Sequence, residues 1–238
     1  IAVVVLYSFN ANASRYPNEF TGFSLQYYRA LFRDTKGLLA ALKSSLILAA
    51  CSCGISMVIG TLGAVGMSRR KFRGQGALET LALLPIMIPE IILGMAFLAV
   101  FTAVGLRFGM LTLILAHVTF CTPYIFIIVQ GRLAGMDPSL AEASQDLGAS
   151  PARTFREITL PLILPGVLSG VMLAFAMSLD DFVISYFVYG PSYVTLPVEI
   201  YNYTKKPLQP KIYALFTLLF AMILLLMILM NVLQARAE

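Results

Sequence analysis

Long apolar runs alternate with short polar segments along almost the whole chain. Five runs, Leu39–Met67, Ala77–Val104, Met110–Val129, Leu160–Leu179 and Ile212–Leu233, each reach the length at which an α-helix crosses hydrocarbon, about 20 residues. Residues 1–9 (IAVVVLYSF) are apolar but too few to cross, and are expected to be the end of a first membrane helix that begins before Ile1. The pattern predicts an all-α polytopic membrane protein with about six transmembrane helices, the first truncated. Within the 39–67 run, Gly60, Gly63 and Gly66 recur near one helical face and allow close packing of a neighbouring helix. Pro85 and Pro89 interrupt the 77–104 run, and Glu90 follows directly where the helix should break. The segment 182–189 is apolar but too short to cross, and Gly190-Pro191 turns the chain after it.

The polar segments divide the chain. Residues 10–37 mix charges with Tyr16, Phe20, Phe23, Tyr27 and Tyr28, which suits an ordered extracellular segment at the membrane surface. The division expected is therefore 1–37 for the first helix end plus this segment, 38–233 for the membrane core, and 234–238 for a short tail. The turn SRRKFRG, 68–74, packs Arg69, Arg70, Lys71 and Arg73 directly after a span. Basic totals on the two sides nearly tie, but this compact cluster places its own loop, the 130–159 loop and both termini in the cytoplasm.

Composition agrees. Apolar residues make up 59% and charged residues 12%, with a mean hydropathy of +0.84. A soluble enzyme, a disordered tail and a small disulfide scaffold are excluded, because a soluble domain of this size cannot hide so much apolar surface. The net charge of +5 fits basic flanks of membrane helices. No aromatic-interleaved basic patch points to nucleic acid, so lipid is the expected environment. Cys51, Cys53 and Cys121 lie inside apolar runs and read as small buried apolar residues.

The segment 130–159 is more than a linker. Asp137 is a good N-cap and Pro138 suits a first helical position. Leu140, Ala143, Ser144 and Leu147 fall on one face of the helix that follows, with Glu142 and Asp146 on the polar side. Gly148 fits the left-handed position that ends a helix. Ser150-Pro151 repeats the cap-plus-proline signal, and a second short helix is expected to stop before Pro161. Two short helices joined at a glycine suit either docking into a groove on a soluble partner or lying on the membrane surface.

Glu142-Ala143-Ser144, then Gly148, then Ile158-Thr159-Leu160-Pro161 resembles the signature of bacterial ABC-importer permeases with an EAA loop. The spacing agrees throughout, and Ser144 in place of a second alanine is the one departure. The stretches HVTFCTPY at 117–124 and SLDDFVISYFVYGPSYVTLPVEIY at 178–201 narrow the resemblance to the spermidine/putrescine permeases of the PotC type. The resemblance covers about residues 38–233 and implies a type I importer permease fold in the bacterial plasma (inner) membrane. It also implies a PotB-type second permease subunit, two cytoplasmic ATPase subunits and an extracellular polyamine-binding protein. It assigns ATPase coupling to Glu142, Ala143, Ser144, Gly148, Ile158, Leu160 and Pro161 within the loop 137–161.

No glycine loop followed by Lys-Ser or Lys-Thr is present to cradle a nucleotide phosphate, so no cofactor is expected in this chain and ATP hydrolysis is expected in the partners. The lone histidine, His117, suits hydrogen-bonded helix packing better than catalysis or metal binding. A carboxylate at a helix centre costs roughly 2.5–3.5 kcal/mol on insertion scales, so an acid kept in a span invites a functional reading. Glu90, Asp180 and Asp181 are candidates for the path of a cationic substrate, with Tyr186 among aromatics able to face a cation. Other readings stand beside these. Asp180 and Asp181 suit a cap for the 182–189 helix, Glu90 suits an ion pair with another subunit, and Tyr186 suits an interface anchor. A permease for another solute, or a secondary transporter or channel without an ATPase, is the alternative function.

Overall fold

The computed structural model describes residues 1–12, 19–34, 37–69, 72–205, 211–221 and 224. Helices dominate: α1 (Ala2–Ser8), α2 (Gln26–Arg33), α3 (Leu38–Arg69), α4 (Gln75–Met87), α5 (Glu90–Ala103), α6 (Met110–Ala134), α7 (Ser139–Asp146), α8 (Pro151–Thr154), α9 (Leu160–Asp180), α10 (Val183–Val188), α11 (Leu196–Thr204) and α12 (Lys211–Ala221). Three stretches among the described residues are single helices long and apolar enough to cross a membrane: Leu38–Ser68, Met110–Ala134 and Pro151–Asp180. α4 and α5 form a fourth candidate, bent by 107°. The sixth expected span, Ile212–Leu233, is helical as far as Ala221, and all but Leu224 of the remainder lies outside the described residues. Arg70 and Lys71 of the basic turn also lie outside them.

The chain divides into two compact units, residues 1–43 with 198–238, and residues 44–197. In the first, described residues of the polar segment after α1 gather around Asn10, which is fully buried. The Asn10 Oδ1 accepts from the Asn12 and Thr21 N–H groups at 3.0 Å each, and its Nδ2 donates to the Glu19 carbonyl at 2.9 Å. One amide thus satisfies main-chain groups that lack a helix to pair within. Tyr27 donates to the Asn12 carbonyl, Ser8 and Tyr28 share a hydroxyl hydrogen bond of 2.7 Å, and Lys211 Nζ meets Asp34 at 2.5 Å.

The second unit is built on α6, whose buried residues run from Thr112 to Leu133. The burial is incomplete: Leu111, Leu115 and Ile127 of the same helix are exposed. Two glycines let neighbours approach it. A Cβ at Gly60 would sit 3.1 Å from Ile125 of α6, and a Cβ at Gly170 would sit 3.1 Å from the Ile125 Cα. Gly63 sees ordinary contact and Gly66 open space, so among the described residues only the first member of the glycine series meets a close neighbour.

The expected end of a helix before Pro161 is not observed. The chain stays helical from Pro151 to Asp180, through a π-helical turn at Phe155–Thr159. There the Leu160 N–H donates to the Phe155 carbonyl, five residues back. Proline at position 161 lacks a donor and crowds the carbonyl four residues earlier. Widening the preceding turn absorbs that demand without ending the helix. The Pro89 break is as anticipated: Ile88 is extended at ψ 131°, as a residue before proline prefers, and α5 restarts at Glu90.

Candidate functional site

The loop between α6 and α9 folds into a small helical hairpin. The Asp137 carboxylate accepts from the Ser139 N–H at 2.9 Å, and this bond holds its carboxyl below the ordinary carboxylate range. α7 ends at Gly148, whose φ of +85° lies in the left-handed region. The Gly148 N–H donates to Gln145 at 2.8 Å and the Ala149 N–H to Ser144 at 3.1 Å, the paired closure that satisfies the last carbonyls of a helix. A Cβ at Gly148 would meet nothing within 4 Å, so the glycine serves backbone conformation and not close packing within the chain. Ser150 then caps α8, accepting from the Arg153 N–H at 3.3 Å, with Pro151 opening the helix. The two helices are tied by the Ser144 and Thr154 hydroxyls at 3.1 Å, with Thr154 fully buried. The residue that departs from the EAA pattern therefore supplies a link an alanine lacks. Ile158 and Leu160 are half-buried at the hairpin base and Pro161 is exposed. Glu142 and Ala143 are exposed, and Leu147 projects with 90% of its surface open beside Leu140. Leu140 and Leu147 are the exposed large apolar side chains of this hairpin among the described residues.

The acids separate into different environments. Glu90 opens α5 at the bend, is exposed, and forms no ion pair with the described residues. The partial positive charge of the helix start supports it. Asp180 ends α9 and is also exposed. Asp181 is engaged inside the chain. Its carboxylate is only 6% exposed and accepts from the Ile184 N–H at 3.2 Å and the Ser185 N–H at 2.8 Å, capping α10. The His117 Nε2 stands 3.4 Å from the same carboxylate and 3.0 Å from the Ser185 hydroxyl, while Nδ1 meets the Ser178 hydroxyl at 2.8 Å. Both ring nitrogens thus have a hydrogen-bonding partner inside the chain. His117, Ser178 and Ser185 are all buried, and they join α6, α9 and α10.

Sequence reasoning reaches His117 as a packing residue and Asp181 as one of two acids, but nothing in the spacing joins partners more than 60 positions apart. It also passes over Glu79, an acid in the second turn of α4 whose carboxylate accepts from the Gln75 side chain at 2.9 Å. The available signal was the lone charge in the apolar stretch 77–84.

Tyr186 sits at the centre of an aromatic group on α10. Its ring lies 5.4 Å from Phe182, 6.1 Å from Phe187 and 6.1 Å from Tyr189. With Leu98, Phe108 and Pro191, three of these rings line a cavity of about 570 Å³. α10 packs on α5 by laying Phe187 over Gly94, one turn past Glu90, where a Cβ would come within 2.6 Å of the ring. The bent α4–α5 pair and the interrupted passage from α9 to α10 each carry an exposed acid at the break.

These are the features of an importer permease subunit. The chain belongs to the family of binding-protein-dependent transport system inner membrane components, whose model matches residues 38–238. It is 38% identical to the putrescine transport system permease protein PotI of Escherichia coli K12 over 99% of this chain and 85% of that protein. It is 37% identical to the spermidine/putrescine transport system permease protein PotC of Haemophilus influenzae over 99% of this chain and 91% of that one. Among solved structures, a bacterial ABC transporter involved in import of the acidic polysaccharide alginate superposes with a TM-score of 0.73, covering 97% of this chain and 87% of that one at 12% identity. An amino acid ABC transporter superposes with a TM-score of 0.60, covering 84% and 96% at 18% identity. The structural likenesses show the fold, that of ABC transporter permeases, and the family match with the apolar helices shows a multi-pass protein of a bacterial inner membrane.

Proposed function

We propose that this chain is one of two permease subunits of an ATP-driven polyamine importer, paired with a PotB-type subunit and fed by an extracellular polyamine-binding protein. The observation that carries the substrate class is identity of 36–38% to putrescine and spermidine/putrescine permeases over 96–99% of the chain. The acids support it. A polyamine presents several ammonium groups that each need a partner on leaving water. Glu90 and Asp180, exposed at the two helix breaks, are assigned to the path, with Tyr186 offering a ring face to the same cations. Asp181 contributes by holding the start of α10. The hairpin residues Glu142, Ala143, Ser144 and Gly148, with Ile158, Leu160 and Pro161 at its base, dock on the ATPase subunits. ATP-driven closure of those subunits moves the hairpin, and the continuous helix Pro151–Asp180 carries the movement into the membrane. Both termini are cytoplasmic, and this chain hydrolyses nothing itself.

Uptake by the reconstituted complex tests this reading. Labelled putrescine and spermidine should accumulate in an ATP-dependent manner, with sulfate, iron and sugars ignored. Glu90→Gln and Asp180→Asn should each lower polyamine uptake about tenfold or more, for loss of a charge-assisted hydrogen bond, with assembly intact. Uptake of a different solute and none of polyamines overturns the substrate assignment.

A further inference from the structure

The cavity beside Tyr186 has fixed walls. Leu98 of α5, Phe108 of the α5–α6 turn, Tyr186 and Phe187 of α10, and Tyr189 and Pro191 after it enclose about 570 Å³. Two glycines set those walls. At Gly94 a Cβ would come within 2.6 Å of the Phe187 ring, so the missing side chain lets that ring lie on α5. At Gly190 a Cβ would overlap the Phe108 carbonyl, so the chain after α10 rests directly on the α5–α6 turn. The buried Thr112 hydroxyl donates to the Val188 carbonyl at 2.7 Å and fastens the end of α10 to α6. Four aromatic rings thus share one space, and its lining among the described residues holds no charged side chain. A ring face carries partial negative charge and attracts an ammonium group. Glu90 stands on the same helix as Leu98, one turn before Gly94. Eight residues separate Glu90 from Leu98, about 12 Å at 1.5 Å per residue. The apolar contact of Phe187 with Gly94 lies between them. The order along α5 is therefore an anion, an apolar stretch and an aromatic cavity.

We infer that α5 and α10 form a length gauge for the translocated polyamine: the ring faces of the cavity take one ammonium group, Glu90 takes another, and the methylenes between them pass over Phe187. The inference rests on the polyamine reading and deepens it by naming the charge spacing that this chain selects. Extended, the outer ammonium groups of spermidine are about nine bonds and 11 Å apart, and those of putrescine about five bonds and 6 Å. Spermidine fills both positions at once, whereas putrescine reaches only one. The pattern of the protein surface repeats that of the solute. Each ammonium group meets a negative partner, a carboxylate at one end and aromatic faces at the other. The methylenes meet an apolar ring held in place by the missing side chain at Gly94. A cation held by ring faces at one end and a single carboxylate at the other keeps both contacts only while its length matches, so the shorter diamine loses one of them outright.

The test uses the whole permease–ATPase complex in lipid nanodiscs, where both faces meet solvent, without the binding protein, whose own selectivity then plays no part. Leu98→Cys in a Cys51→Ser background is the reporter, and Pro191→Cys is a second one on another wall; each is used only in a complex that still imports spermidine when the binding protein is supplied. Straight-chain diamines from putrescine to 1,8-diaminooctane, which matches the outer spacing of spermidine without its middle amine, are tested for slowing modification of the reporter by a thiol reagent. The concentration for half protection should fall about tenfold along the series, the worth of one added charge-assisted contact. Glu90→Gln should flatten the series to the level of putrescine. Tyr186→Leu should weaken protection at every length, and Tyr186→Phe should restore it, because the ring face is kept. A flat series in the complex with Glu90 intact overturns the inference, and so does a length dependence that survives Glu90→Gln. A complex with native Leu98, Pro191 and Glu90 that imports no polyamine defeats the functional reading instead, so the two failures are distinguishable.

Discussion

At the scale of single residues, two neighbouring aspartates have opposite situations. Asp180 is exposed, whereas the Asp181 side chain is only 6% exposed, accepts two N–H donors and faces His117. Substituting Asp181 by Asn keeps one acceptor, removes the charge and turns an amide NH₂ toward donors that need an oxygen. The expected loss is about 1.5–3 kcal/mol, the worth of a hydrogen bond to a charged group. Thermal unfolding of the purified complex should show Asp181→Asn destabilised and Asp180→Asn unchanged. Equal stability of the two variants would remove Asp181 from its capping role. His117→Ala should reproduce the Asp181→Asn effect, because it strips the same carboxylate of a donor and leaves Ser178 and Ser185 unpaired in the core.

At the scale of elements, the hairpin depends on one backbone conformation. Gly148 holds φ at +85° with open space around it, so the penalty for a side chain there is steric strain of the left-handed region, about 1–2 kcal/mol. Asparagine tolerates that region and β-branched residues do not. Uptake should therefore survive largely in Gly148→Asn and collapse in Gly148→Val, with both proteins in the membrane. If Asn proves as damaging as Val, the glycine answers to a partner's surface and not to its own φ. The π-helical turn at Phe155–Thr159 belongs to the same scale. It joins the hairpin to the membrane helix without a break, so a push at α7 has a rigid element to act on. Pro161→Ala removes the reason for the wide turn and should favour regular α-helical hydrogen bonding there, which amide hydrogen exchange at 157–160 would register as slower exchange.

At the scale of the whole molecule, the ends of the membrane helices sort into two sets. Residues 72–76 and the hairpin lie at one end of α4 and α6, and the turn Val104–Gly109 lies at the ends of α5 and α6 away from it. With the first set cytoplasmic, cysteines at Phe72 and Ser139, in a Cys51→Ser background, should resist membrane-impermeant thiol reagents added outside intact cells. A cysteine at Val104, 64% exposed, should react. Labelling in the reverse pattern overturns the orientation drawn from the Arg69–Arg73 cluster.

What the sequence by itself determined lies close along the chain. Apolar runs mark the helices, because a backbone in hydrocarbon must satisfy its own hydrogen bonds and helix length follows from membrane thickness. Pro89 marked a break, Gly148 a left-handed closure, and 182–189 a helix too short to cross, each through local backbone sterics. The signature across 142–161 marked the family, which the match over residues 38–238 shows. Local rules failed at Pro161, where proline alone argues for an end and the surrounding helix, anchored by buried Thr154, Thr159 and Ile163, absorbs it in a wider turn. Only the tertiary structure decided which acids are free and which are engaged. That choice depends on contacts between positions far apart in sequence: His117 with Asp181, Thr112 with the Val188 carbonyl at 2.7 Å, and Glu79 beside the end of α3. A charge in an apolar run announces that something must compensate it. The packing of helices determines whether that compensation comes from within the chain or is left for a solute.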